Sequence, residues 1–254
     1  MIVFKTTREL ELMTEACQLS ARALKIAGEA VRPGISTWEI DKIAYDYIIS
    51  QGGKPNFLNY SGYPATACIS VNDEVIHGIP NKRRILEEGD IVSIDLGAEL
   101  HGYNGDNAAT FAVGRISSEA QRLIDTTEAC LYKGIEAAVA GGRIGDIGAA
   151  VQALAESEGF SVVRQFVGHG VGKKLHEDPE VPNFGKAGHG ARLLPGMTIA
   201  IEPMINAGTF DVRTLKDGWT VKTADGKNAA HYENTVLITD GEPELLTDPS
   251  ESLV

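Results

Sequence analysis

Leu86-Glu87-Glu88-Gly89-Asp90-Ile91-Val92-Ser93-Ile94-Asp95 returns later in the chain, altered but aligned, as Leu193-Leu194-Pro195-Gly196-Met197-Thr198-Ile199-Ala200-Ile201-Glu202. Each passage sets a glycine six residues before a carboxylate and fills the gap with β-branched and apolar residues. That composition reads as a turn entering a strand, so each carboxylate ends a strand. A second pair follows: Asp106-Asn107 before Ala108-Ala109-Thr110-Phe111, and Glu233-Asn234 before Thr235-Val236-Leu237-Ile238. Upstream, His77-Gly78-Ile79-Pro80 resembles His176-Glu177-Asp178-Pro179. Three matched elements in one order imply a duplicated α+β unit, with halves of roughly 1–115 and 116–245 in one domain sharing a sheet.

Both halves open with helices. Thr6 and Glu9 form a capping-box pattern ahead of Leu12, Ala16, Leu19, Ala23, Ile26 and Ala30, and Pro33-Gly34 ends the run. Ser36 and Glu39 repeat the pattern ahead of Ile40, Ile43, Ala44, Tyr47 and Ile48. Short β-rich runs follow at Ala67–Val71, Ile91–Leu96 and Ala108–Val113, the last two predicted to form a hairpin around Gly102 and Asn104-Gly105. Helical patterns return at Ser118–Ala140 and Ile144–Glu158, and strands resume from Ser161. The acidic, Pro- and Ser-containing end from Gly241, and 246–254 above all, reads as a loose tail.

The 23 basic and 35 acidic side chains leave a net charge of −12, which argues against DNA or an anionic membrane as partner. Apolar residues at 43% suit a packed globule, and neither a long apolar span nor a leader-like start is present, so the cytoplasm is the expected compartment. Cys17, Cys68 and Cys130 are scattered and odd in number, and read as small buried groups rather than a disulfide framework.

An acidic residue inside an apolar strand is costly to bury unless it is paired or bound to metal. Asp95, Asp106, Glu202 and Glu233 occupy such positions at corresponding places in the two halves. If the halves face each other, the four anions converge, and two divalent ions would offset their charge. Carboxylates with imidazole suit Mn, Fe, Co or Zn, and His169, among the alternating glycines of Gly168-His169-Gly170-Val171-Gly172, is the available imidazole. His176-Glu177-Asp178-Pro179-Glu180 lacks the second histidine of a zincin helix. From the residues alone His77 and His176 are open between catalysis and structure, whereas His101, His189 and His231 read as surface or structural, with His231 the nearest to a ligand position.

His77-Gly78-Ile79-Pro80, Ile94-Asp95-Leu96-Gly97, Gly102-Tyr103-Asn104-Gly105-Asp106, Gly168-His169-Gly170-Val171-Gly172, Ile201-Glu202-Pro203-Met204 and Glu233-Asn234-Thr235 together resemble the type I methionine aminopeptidases of bacterial kind, over nearly the whole chain. The resemblance implies a pita-bread fold, in which two pseudo-symmetric αβ halves share a curved antiparallel sheet. It also implies a dinuclear site of Mn, Co, Fe or Zn and removal of the initiator methionine from chains with a small second residue by a metal-activated water. It makes Asp95, Asp106, His169, Glu202 and Glu233 the ligands, Glu202 also the proton shuttle, and His77 and His176 the histidines that contact the scissile amide. Tyr60, Tyr63, Cys68 and Trp219 match the methionine pocket; Phe57 stands where a cysteine is often found, and Leu175 where an aromatic can precede the second histidine.

The same resemblance makes methionyl peptides and nascent chains the substrates; the sequence itself is silent on oligomeric state, and a monomer is the expectation. The basic run Lys82-Arg83-Arg84 reads either as a solvated turn or as a contact with the ribosome. Two alternatives share the site: a proline-specific aminopeptidase or dipeptidase, which usually carries a further N-terminal domain, and a non-catalytic module, which would have shed ligands.

Overall fold

Both N-terminal helices start where their caps require. Thr6 and Glu9 satisfy each other's backbone N–H groups ahead of α1 (Thr7–Glu29), and Ser36 and Glu39 do the same ahead of α2 (Thr37–Ser50), in the computed structural model, which describes residues 1–248. α3 (Ser118–Ala137) and α4 (Ile144–Ser157) form the corresponding pair downstream. Among the described residues no helix is long and apolar enough to cross a membrane.

The strands Ile91–Leu100 and Tyr103–Ala112 pair along their whole length, from Ile91 opposite Ala112 to Leu100 opposite Tyr103. The turn is His101-Gly102, both at positive φ (55° and 80°), as a two-residue loop between twisted strands demands. Asn104-Gly105, expected in the turn, instead lies inside the second strand. Its residues are needed there for contact: Asn104 Nδ2 donates to Gly172 O at 3.0 Å, and a Cβ on Gly105 would lie 2.4 Å from Cα of Cys17, so only glycine lets α1 lie flush on the strand.

This hairpin sits in a nine-stranded antiparallel sheet. Its order runs Lys54–Pro55, Ile91–Leu100, Tyr103–Ala112, Glu233–Leu237, Thr198–Ile201, Gly168–Gly170, Glu177–Val181; Ala67–Val71 also pairs with Ile91–Leu100, and Glu244–Leu245 with Glu233–Leu237. Helices cover one face. α1 and α2 bury Leu19, Ala23, Ile40 and Ile48 against Ile69, Ile94 and Leu96, while α3 and α4 bury Leu131, Ile135 and Ile147 against Ile199, Ile201 and Val236. Truncating one such residue, for example Leu96→Ala, costs about 2–5 kcal/mol. Between them Met13, Ala16 and Cys17 of α1 reach Val171, Ala200 and Leu237, so the first helix also packs on the second set of strands.

The end of the chain departs from the expected loose tail. Leu246 and Thr247 are buried, and Thr247 Oγ1 accepts from Thr235 N and donates to Asn234 Oδ1 at 2.6 Å. A leucine and a hydroxyl with ready partners outweigh the local acidic composition. The rest of the expected tail, 249–254, lies outside the described residues.

Candidate metal centre

Strand register alone gathers the acidic residues. Asp95 and Glu233 both stand opposite Ala108, so all three share a face of the sheet, and Asp106, two residues from Ala108, shares it too. Ile201 stands opposite Asn234, so Glu202, one residue past the strand end, comes level with Glu233. Gly170 stands opposite Ile199, which brings His169 level with Ala200 and onto the face of Glu202. Five residues from 95 to 233 thus meet on the face that the helices leave open.

The side chains close the arrangement. Ligand atoms of Asp106, His169 and Glu233 lie within 4.8 Å of one another, and all three residues are buried. His169 Nε2 is 3.7 Å from Asp106 Oδ2 and 3.7 Å from Glu202 Oε1. His169 Nδ1 makes a 2.9 Å hydrogen bond with Gly170 O, which accepts; with its proton committed there, Nε2 presents its lone pair to the cluster. Burial, reinforced by His176, pushes the His169 pKa down to about 3, so the ring is a neutral donor of electrons.

The carboxylates move the other way. Burial raises Asp106 and Glu233 well above the usual carboxylate range, and their acidic neighbours add to the shift. Asp95 and Glu202 are also raised, chiefly by burial. Asp95 Oδ1, Asp106 Oδ1 and Glu233 Oε1 are buried without a hydrogen-bond partner, and the cavity above them is lined by no lysine or arginine among the described residues. Stranded oxygens, one neutral imidazole and no counter-ion from the protein are what a site for divalent first-row cations requires. The residues present fit that group.

Above this floor stands a cavity of about 210 Å³. Phe57, Tyr63, Cys68 and Leu175 are buried in its wall, Trp219 meets Tyr63 edge to face at 5.1 Å, and Tyr60 stands half out at the mouth. Tyr63 is fixed by donating between Ala67 O and Gly78 O at 3.0 and 2.9 Å. Tyr60 sits on a short turn between Asn59 and Ser61, both at positive φ, and its hydroxyl is 2.8 Å from His176 Nδ1. The His176 ring lies 4.1 Å from that of His169, over the cluster. His77 is on the other wall at φ 58°, edge to face with Phe166 and Trp219; burial lowers its pKa to about 4. All the candidate ligand, catalytic and methionine-pocket residues named from the sequence line this cavity.

His231, read from the sequence as structural, also belongs here. It is 1% exposed, and its Nε2 lies 3.7 Å from Glu202 Oε2. The available signal was period two: in an extended run, residues 231 and 233 point to the same face. Beyond His169 and His176 a wider cleft of about 710 Å³ opens past Lys5, Glu9, Tyr103, Lys173 and Glu177.

Residues 11–240 match the model of metallopeptidase family M24. The chain is 51% identical over 247 residues to the methionine aminopeptidase of Clostridium acetobutylicum, covering 97% of this chain and 99% of that one. Its fold superposes on the crystal structure of methionine aminopeptidase from Thermotoga maritima with a TM-score of 0.96 at 43% identity, covering 98% of this chain and 100% of the other. The prolidase of Pyrococcus horikoshii matches with a TM-score of 0.77 at 22% identity, covering 99% of this chain and 65% of that one, a likeness of fold alone.

Proposed function

We infer the function from a membership: this chain belongs to metallopeptidase family M24 and, within it, to the methionine aminopeptidases of bacterial type I, with their pita-bread fold. It is a metal-dependent aminopeptidase that removes the N-terminal methionine from peptides. The observation that carries the finer reading is the stacking of two environments: an open-sided floor of five ligand-type residues directly beneath an apolar cavity walled by aromatic rings and a thiol.

Asp95, Asp106, His169, Glu202 and Glu233 would hold two divalent ions, Mn, Co, Fe or Zn. Bound there, the ions would supply Lewis acidity and lower the pKa of a water they hold towards neutrality. The chain's own residues do the rest. Phe57, Tyr60, Tyr63, Cys68, Leu175 and Trp219 enclose an unbranched thioether, for which sulfur and ring edges are good company. Glu202 accepts a proton at its carboxylate and passes it to the leaving amine, a role that suits a carboxyl whose pKa burial has raised. His176, with Nδ1 engaged by Tyr60, directs Nε2–H at the scissile carbonyl, and His77 orients the amide from the opposite wall. The wide cleft past Lys173 and Glu177 gives the rest of the peptide a way out, while His77 and the His169 strand crowd the second residue and favour small ones.

The same reading places the work on nascent chains in the cytoplasm, by a monomer. The exposed Lys82-Arg83-Arg84 run, with Lys82 Nζ 4.3 Å over the Trp38 ring, would be its contact with the ribosome.

kcat/KM on a tripeptide series at fixed Mn(II) tests this. Met-Ala and Met-Gly peptides should be cut at least about tenfold better than Met-Lys or Met-Phe, and chelation should abolish turnover until metal is restored. Preference for Xaa-Pro whatever Xaa is, or full turnover without metal, would overturn it.

A further inference from the structure

His231 is the buried polar group of the site to which the roles above give no task. Neither Nδ1 nor Nε2 has a hydrogen-bond partner, although the residue is 1% exposed. A polar group so deep and unpaired is costly unless something uses it. Its backbone is not free to wander: His231 N donates to Thr110 Oγ1 at 3.0 Å, and Thr110 Oγ1 donates back to His231 O at 2.9 Å, with Ser93 Oγ 2.8 Å behind. The long hairpin therefore sets where this ring stands.

Its nearest charged neighbour is Glu202. The two oxygens of that carboxylate face two imidazoles at the same separation, Oε1 to His169 Nε2 and Oε2 to His231 Nε2, each 3.7 Å. Glu202 is otherwise held through its backbone, where Asn183 Nδ2 donates to Glu202 O at 2.8 Å. The three residues whose ligand atoms fall within 4.8 Å of one another are Asp106, His169 and Glu233, and His231 is outside that set.

We propose that His231 is a positioning residue: its Nε2–H donates to Glu202 Oε2 and fixes the rotation of the carboxylate, so that Oε1 is presented to the metal side. At 3.7 Å the two atoms stand just beyond hydrogen-bonding distance, so ring and carboxylate must close by about 0.5–1 Å for the bond to form. Partners of this kind set the orientation of metal-binding side chains, and their loss typically costs 10–100-fold in affinity or activity. The inference rests on Glu202 acting as ligand and proton carrier.

Three substitutions test it. A glutamine amide reaches where Nε2 stands, an asparagine amide stops at the position of Nδ1, and leucine removes the donor while filling the space. On a Met-Ala-Ser peptide at fixed Mn(II), His231→Leu and His231→Asn should lower kcat about 10–100-fold with KM within about threefold, while His231→Gln stays within about threefold of wild type. Mn(II) titration calorimetry should show the same ordering, with Asn about tenfold weaker than Gln and the number of ions bound unchanged. Should His231→Leu fail to fold, the contrast between Gln and Asn decides alone. Equal behaviour of Gln and Asn would overturn the proposal. So would loss of one bound ion in all three variants, which would make the ring a ligand. Failure of the wild type to cleave methionyl peptides at all would instead sink the underlying activity, and the calorimetric contrast would still judge His231.

Discussion

The two halves deliver their acidic side chains by different means. The first supplies Asp95 and Asp106 from a single hairpin with ten residues in each strand, paired without a break, with Asp106 opposite Gly97. The second supplies His169, Glu202 and Glu233 from three short pieces, Gly168–Gly170, the residue after Thr198–Ile201, and the start of Glu233–Leu237. One wall of the site is thus set by local pairing and the other by long-range assembly. Yet Asp106 and Glu233 come within reach of each other and share the fate of a stranded oxygen. The continuously paired hairpin acts as the reference against which the dispersed residues of the second half are brought into line.

The comparison breaks if Asp106 and Glu233 are not equivalent. Asp106→Asn and Glu233→Gln should each lower kcat/KM by at least about a thousandfold, because each removes a negative charge that bound divalent ions would need. In metal-free protein the same variants should be more stable than wild type. The sign follows from the raised carboxyl pKa: the native state keeps its proton after the unfolded chain has lost it, so stability falls as pH climbs above about 4. An amide has no such proton. The gain in melting temperature should therefore widen from pH 5 to pH 8, by about 2–4 °C for each kcal/mol relieved. A loss of stability in either variant would show that its carboxyl is a structural acceptor rather than an unpaired ligand.

The same contrast explains how far the sequence could be read. Local features spoke clearly: the Thr6–Glu9 and Ser36–Glu39 boxes and the Ala67–Val71 strand rest on neighbours in the chain, whereas Asp95, expected at a strand end, lies inside Ile91–Leu100, because pairing with Tyr103–Ala112 carries the strand on past it. The family resemblance proposed a ligand set and pocket residues, and these residues line one cavity. What escaped depended on distant partners. His231 seemed ordinary because Glu202, its neighbour in space, is twenty-nine residues away. Asn104-Gly105 resembled a turn because nothing nearby reveals that α1 and Gly172 press on it. Leu246 and Thr247 were lost in an acidic stretch because their receiving groups, Asn234 and Thr235, belong to another strand.

The paired histidines sharpen the comparison at smaller scale. His176 hangs over His169 and is aimed by Tyr60, whereas His77 is wedged between Phe166 and Trp219. His176→Ala should lower kcat about 100–1000-fold, the scale of a lost oxyanion donor, with Mn(II) affinity unchanged. His77→Ala should cost about tenfold to a hundredfold, again in kcat. Calorimetry beside steady-state kinetics checks both; metal loss in His176→Ala would place that ring among the ligands.

The smallest effect tests the seam between the halves. Glu9, in the first turn of α1, accepts from Thr6 N and Oγ1, from Tyr103 Oη at 2.9 Å and from Lys173 Nζ at 3.1 Å, so one carboxylate caps a helix of the first half and holds the loop before His176 in the second. These donors, the Thr6 backbone first, lower its pKa to about 2. A depressed carboxyl contributes stability in full above its unfolded value of about 4.3 and loses it as pH falls through the folded value. Because the site is open to water and salt, Glu9→Gln should lower the melting temperature at pH 7 by only about a degree or two, and less in high salt. That difference should shrink steadily as pH drops from about 4.5 towards 3. If it persists unchanged at pH 3, the charge on Glu9 contributes nothing, and the seam is held by the packing of Met13, Ala16 and Cys17 on Val171, Ala200 and Leu237 alone.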